Sequence, residues 1–263
     1  KKPSKQRVFD YLAFDRMESF EHPESTFFEG IFQLQPAHYM VLTPGEEIPE
    51  KQVNYWKVDL DKKSELTFEE AQQEFKRLFT QSIERRLRSD VPVGSSLSGG
   101  LDSSGIVALI HQLKSDEQEQ HTFSARFPNF KKDEGTYIDL MNRQTNSLPH
   151  QVFCTEEMLN DTMPNLFAIH EEPFGSTSIA AQFNVMKLAK ESGITVLLDG
   201  QGADEYLAGY SPFYLNYAAE LRTSGKTDLA KFQDKYREHF GTQLITGRTF
   251  WIDAKYPNLR DVI

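Results

Sequence analysis

Between residues 90 and 200, short apolar runs alternate with stretches whose apolar residues recur every three or four positions. Val91–Leu97, Thr122–Phe127, His150–Phe153 and Ile194–Leu198 read as buried strands. Helices are predicted from Ser104 to Leu113, with Ile106, Val107, Ile110 and Leu113 on one face, and from Thr136 to about Asn146. Another opens at Thr155 and runs toward Leu166 and Ile169, where His170-Glu171-Glu172-Pro173-Phe174-Gly175 breaks it. A further one runs from Ser178 to a stop at Gly193, with Ile179, Phe183, Met186 and Leu188 on its buried side. Strands alternating with helices of this length indicate right-handed crossover units. The expected fold class is α/β, a twisted parallel sheet with helices on both faces. Ligands of such sheets bind beyond the carboxyl ends of the strands.

Outside this core the pattern is less regular. Residues 1–10 are polar and basic and read as a flexible lead-in, followed by a helical turn at Tyr11–Phe14. Phe27–Leu34 and His38–Leu42 are expected as two short strands joined through Pro36. Residues 46–66 read as a charged connector anchored by Tyr55-Trp56. Thr67-Phe68-Glu69-Glu70 is a capping-box signature, and Phe68, Ala71, Phe75, Leu78, Phe79, Ile83 and Leu87 follow at helical spacing to an end near Ser89-Asp90. From Tyr210 onward the pattern is helical and aromatic.

Composition narrows the classes. Among 263 residues, 29 Lys and Arg against 39 Asp and Glu give a net charge of −10, which argues against nucleic acid or an anionic membrane as partner. No apolar run reaches membrane-spanning length and no leader pattern is present, so a cytoplasmic location is expected. The single cysteine, Cys154, rules out an internal disulfide, fits a reducing compartment and reads as structural. The opening Lys-Lys-Pro-Ser-Lys, without an initiator Met, reads as an internal start.

The chemistry concentrates in two turns. Ser98-Gly99-Gly100-Leu101-Asp102-Ser103-Ser104 lies between a strand and a helix N-terminus, the geometry of an anion site. The glycines admit close backbone approach, Ser98, Ser103 and Ser104 supply hydroxyl donors, and Asp102 sets a carboxylate beside the anion. That carboxylate makes sense if a divalent cation lies between them. No Gly-Lys-Ser/Thr follows, so this is not the Walker loop. Asp199-Gly200-Gln201-Gly202-Ala203-Asp204-Glu205 repeats the design after the fourth strand, and its Asp204 is expected to meet the same cation as Asp102. Glu171-Glu172-Pro173 adds carboxylates that read equally well as an exposed acidic turn.

The first turn resembles the pyrophosphate loop of ATP pyrophosphatases. With Asp90-Val91-Pro92-Val93-Gly94, Glu172-Pro173-Phe174 and Gly209-Tyr210, the chain resembles the synthetase domain of the glutamine-hydrolysing asparagine synthetases. The resemblance implies an adenine-nucleotide α-hydrolase-like fold. It also implies a glutaminase-domain remnant at 1–45, a linker at 46–66, and a synthetase domain at 67–263 truncated at its C-terminus. By the same resemblance, Ser98, Gly99, Gly100, Leu101, Asp102, Ser103 and Ser104 hold pyrophosphate, and Ser96, Ala125, Asp199 and Gly200 hold the rest of the nucleotide. Asp102 and Asp204 bind Mg2+, and Glu172 and Glu205 join them on the substrate side. The implied chemistry adenylates the aspartate side chain with ATP; ammonia from glutamine then gives asparagine, AMP and pyrophosphate. The implied partners are small molecules, with a homodimer as the expected assembly. Gln201 stands where many members carry an acidic residue. By the resemblance, the sequence is expected to start after the glutaminase's N-terminal cysteine and to stop before the synthetase's later lysine. A related adenylating ligase or cyclase, similar to the β-lactam synthetases, and a catalytically silent nucleotide-binding fragment therefore remain open beside the first reading.

Overall fold

The computed structural model describes residues 1–19, 21–47, 52–59, 61–115, 118–128, 130, 131, 133–223 and 229–241. Part of the expected connector, two positions of the turn after Phe127 and everything beyond Gly241 lie outside the described residues. Contacts divide the chain into two compact units, one running to Asp199 and the other starting at Gly200.

In the first unit, α1 (Lys5–Phe14) is capped by the Ser4 side chain, which accepts from the Arg7 N–H. This corrects the reading of residues 1–10 as a flexible lead-in: the helix begins at Lys5, and Arg7, 4% exposed, donates to the Met17 carbonyl at 2.6 Å. The two strands expected around Pro36 do not pair with each other. β1 (His38–Tyr39) pairs antiparallel with β2 (Val53–Asn54), inside the segment read as connector, and Phe28 and Phe32 form only isolated bridges. α2 (Phe68–Arg86) carries the predicted capping box on Thr67 and Glu70. Of its apolar stripe only Ile83 is buried, while Phe68, Phe75 and Leu78 are exposed.

The core follows the predicted alternation: β3 (Val93–Ser96), α3 (Leu101–Leu113), β4 (His121–Arg126), α4 (Gly135–Thr145), β5 (Leu148–Phe153), α5 (Glu156–His170), α6 (Ser178–Glu191) and β6 (Val196–Leu198). The four strands form one parallel sheet in the order β5-β4-β3-β6. Pro149 is tolerated because β5 is an edge strand, where a missing N–H breaks no interior ladder. Strand side chains alternate between two faces. On one face, Leu198 packs with Ile83, Ile106 and Ile110, and Leu97 with Val107 and Ile138, under α2, α3 and α4. On the other, Phe123 packs with Val185 and Ala189 of α6 and with Ile194. Gly94 lies on this second face, where a Cβ would stand 3.0 Å from the Phe123 ring and 3.2 Å from Ile194 Cγ2. The sheet is thus covered on both faces, as the apolar runs require.

A histidine pair went unnoticed in the sequence. The His121 and His150 rings meet Nδ1 to Nε2 at 3.0 Å, His150 lies flat on Phe123 with centroids 4.6 Å apart, and Ser192 Oγ is 3.2 Å from His150 Nδ1. Burial and the neighbouring His121 push the His150 pKa down. The folded state therefore favours the neutral ring. Stability from this site is complete above the unfolded value near 6.5 and is lost as pH falls through the depressed folded value. Urea unfolding at stepped pH should show this loss, and His150→Phe should flatten the slope. An unchanged slope would assign the pH dependence elsewhere.

The second unit is described as α7 (Ala203–Leu207), α8 (Ser211–Thr223) and α9 (Leu229–Phe240). Tyr214, Tyr217, Phe232, Tyr236 and Phe240 bring α8 and α9 together through edge-on and tilted ring contacts.

Candidate functional site

The strand order places a topological switch between β3 and β6: the chain moves outward through β4 and β5, then returns to the other side of β3. In open α/β sheets a ligand binds at that crevice, outside the carboxyl ends. Ser95 lies opposite Leu198 in register, so the loops that begin at Leu97 and Asp199 leave adjacent strands. A separate cavity of about 810 Å³, lined by Val93, Gly94, His121 and Ile194, opens at the opposite, amino-terminal edge and is not this site.

The loop after β3 is braced from within. Leu97 is buried and its N–H donates to the Phe123 carbonyl at 2.8 Å, which holds the chain on the sheet to the last residue before the turn. Ser103 Oγ accepts from the Ser98 N–H at 3.2 Å, shares a hydrogen bond of 2.9 Å with Ser98 Oγ, and lies 3.2 Å from the Gly100 carbonyl. Ser98 Oγ in turn accepts from the Gly100 N–H at 3.2 Å. Ser103, 5% exposed, is thus the pin of the turn, while Ser98 is exposed and Ser104 half-buried. Gly99 turns with φ +92°, and a Cβ there would stand 2.8 Å from Glu134 Cβ and 2.9 Å from its carbonyl oxygen. Only glycine meets both demands.

The helix starts earlier than the apolar spacing predicted, at Leu101 rather than Ser104, because Gly100 is the N-cap. Asp102 and Ser103 therefore belong to the first turn. Among the described residues no side chain caps α3, in contrast to α2 and α5, whose first turns Thr67 and Thr155 satisfy. The first-turn amides of α3 are left facing the loop as donors, at the positive end of the helix. Asp102 is half-buried, and among the described residues no hydrogen bond or ion pair engages its carboxylate. Ser96 and Ala125 share the face of the sheet that carries Phe123, since Ser96 is in register with Phe123 and Ala125 is two residues on.

In the second unit, Gly202 caps α7 with φ +94°. The Asp204 side chain lies against Gly209, where a Cβ would overlap its carboxylate, and Tyr210 donates to Glu205 Oε1 at 3.2 Å. Glu172, implied for the substrate side, meets the N-terminal segment in this structure. Its Oε1 accepts from the Phe27 N–H at 3.3 Å, while neighbouring Glu171 pairs with Lys1. Cys154 is half-buried and burial pushes its thiol pKa up, in keeping with a structural residue.

The residues present fit magnesium as a substrate-borne ion. Among the described residues no three His, Cys, Asp or Glu side chains converge on one position, whereas a free carboxylate sits beside uncapped amides. The carboxylate could give such an ion one oxygen ligand, phosphate and water completing its shell, while the amides face the anion.

The sequence reading missed Arg126, Asp133 and Gly135. Arg126, the last residue of β4, donates through Nε at 3.1 Å and Nη2 at 3.0 Å to Asp133 Oδ2. The same carboxylate accepts from the Phe127 N–H at 2.8 Å and the Gly135 N–H at 3.2 Å. Those hydrogen bonds, Arg126 foremost, hold the Asp133 carboxyl below the usual aspartate range. An Asp-Glu-Gly run just before a predicted helix was the available signal. Composition alone made it an ordinary polar turn.

The model for asparagine synthase matches residues 74–255. A putative glutamine-hydrolysing asparagine synthetase 2 of Methanocaldococcus jannaschii is 32% identical over 69% of this chain and 38% of its own length. Asparagine synthetase 2 of Bacillus subtilis is 28% identical over 84% of this chain and 32% of its own. A Penicillium rubens protein named amidase chyE is 29% identical over 78% of this chain and 32% of its own. Among solved structures, the NH3-dependent NAD synthetase from Campylobacter jejuni is a distant likeness. It has 11% identity and a TM-score of 0.38 over 72% of this chain and 94% of its own. This chain therefore spans about a third of the length of these curated relatives. With the matching family model covering most of its residues, the chain belongs to the asparagine synthase family.

Proposed function

We propose that this chain is the ATP-handling part of an amide-forming synthetase: it adenylates a carboxylate, releases pyrophosphate, and lets an amine displace AMP. The observation that carries the reading is the uncapped first turn of α3 behind the Ser98–Gly100 turn, with the Asp102 carboxylate free beside it. Amides of Leu101 to Ser103, at the turn that Gly99 and Gly100 shape, and the Ser98 and Ser104 hydroxyls would take the β- and γ-phosphates. Fixed donors of this kind stabilise charge that builds on a leaving pyrophosphate without reorganising. Ser96, Ala125, Asp199 and Gly200 would border the adenosine. Asp102 would hold Mg2+, and Asp204 is assigned with it on the sequence pattern; the ion would neutralise phosphate charge as the P–O bond breaks. Glu205 is assigned to the substrate side by its place beside Asp204.

Aspartate, with ammonia drawn from glutamine, is the substrate pair the asparagine synthetase relatives favour. A second reading, a related ligase acting on another carboxylate, is favoured by the neutral Gln201 and by relatives named amidases. A pyrophosphate-release assay on the intact protein with a panel of acids and amines decides between them. Release dependent on aspartate supports the first reading, and release with another acid supports the second. ATP binding without release under every pair would overturn both.

A further inference from the structure

We infer that Arg126 and Asp133, which need touch no ligand themselves, set the phosphate affinity of the loop after β3 by positioning it through Glu134 and Gly99. The inference rests on the nucleotide reading of that loop.

The connection runs through atoms in contact. The Asp133 carboxylate ties both ends of the β4–α4 connection, accepting from the Phe127 N–H at its start and the Gly135 N–H at its end. Arg126 grips the same carboxylate with two nitrogens, and its Nη1 lies 3.3 Å from Gln151 Oε1 on β5, so the guanidinium is itself fixed to the sheet. Glu134 sits between Asp133 and Gly135, and its main chain is held from both sides. Its carbonyl accepts from the Tyr137 and Ile138 N–H groups at 2.9 and 3.1 Å, which starts α4. Its Cβ and carbonyl oxygen form the wall against which Gly99 turns. Gly135 is glycine for a related reason, because a Cβ there would occupy the space of the Arg126 guanidinium.

A phosphate held by main-chain amides is sensitive to small displacements, since those amides cannot follow the ligand as a flexible side chain would. A wall that shifts by a fraction of an ångström at Glu134 moves Gly99, and with it the Gly100 amide and the mouth of α3. Arg126 and Asp133 are therefore positioning residues. Their predicted signature is selective: affinity for the phosphates falls while affinity for the adenosine moiety does not.

The test is titration calorimetry of the intact protein with magnesium pyrophosphate, magnesium ATP and adenosine, beside thermal unfolding without ligand. The variants are Asp133→Asn and Gly135→Ala; the second displaces the guanidinium while leaving both partners of the pair in place. Each is expected to weaken pyrophosphate and ATP by about tenfold or more, with adenosine within about twofold of the unsubstituted protein. Asp133→Glu should recover part of the loss. Equal affinities for all three ligands in the variants and the unsubstituted protein would overturn the inference and leave the nucleotide reading standing. Parallel loss of adenosine and phosphate affinity with a lowered Tm would also overturn it, by making the pair a general fold contact. Failure of the unsubstituted protein to bind pyrophosphate or ATP would overturn the nucleotide reading, and the inference with it.

Discussion

Asp102→Asn is expected to reduce ATP-dependent pyrophosphate release by about 10²–10³-fold or more, the scale seen when one preorganised charge-stabilising group is lost at a reacting centre. The substitution keeps the side-chain shape and the first turn of α3, so the fold should persist. Asp102 makes no hydrogen bond or ion pair among the described residues that its charge would maintain. The one structural use of that charge is its favourable place at the helix N-terminus, worth about 0.3–1 kcal/mol. Activity and stability therefore separate cleanly: a large drop in turnover beside a small change in urea midpoint. Pyrophosphate release at the original rate would remove Asp102 from the metal assignment.

Gly99→Ala is the second large effect, and here stability and binding should fall together. The residue would have to adopt φ +92°, which costs an L side chain about 1–3 kcal/mol. Its methyl group would also stand 2.8 Å from Glu134 Cβ, an overlap with a penalty of about 1–3 kcal/mol more. Gly100→Ala is the control. Its φ is −69°, and its Cβ would meet only Ser98 Oγ at 3.3 Å. Chemical unfolding should rank Gly99→Ala well below Gly100→Ala, and ATP titration should show that the Gly99→Ala variant fails to bind. Equal midpoints for the two variants would contradict the described turn.

Much of this site was legible because its signals are local. The Ser-Gly-Gly turn lies between an apolar run and a helical period, so its place at a strand end follows from pattern alone. The succession of four strands along the chain followed from alternation. The pattern also places the two turns after neighbouring strands, as β3 and β6 are; their register, with Ser95 opposite Leu198, needed the structure. Periodicity misplaced the start of α3 because Leu101, Asp102 and Ser103 carry no apolar stripe, and Leu101 is 86% exposed. It also made α2 seem more buried than it is, since spacing records a stripe but not what covers it. Arg126 and Asp133 were invisible for another reason. Their meaning lies in contacts between a strand end and a loop, seven positions apart, with no motif to mark them.

Exchange of labelled pyrophosphate into ATP, catalysed by the intact protein, tests most directly whether the turn after β3 cradles the leaving group of an adenylation. The account predicts exchange that requires a carboxylate substrate and magnesium, and that disappears in Asp102→Asn. Conversion of ATP to ADP and orthophosphate without any exchange would contradict it.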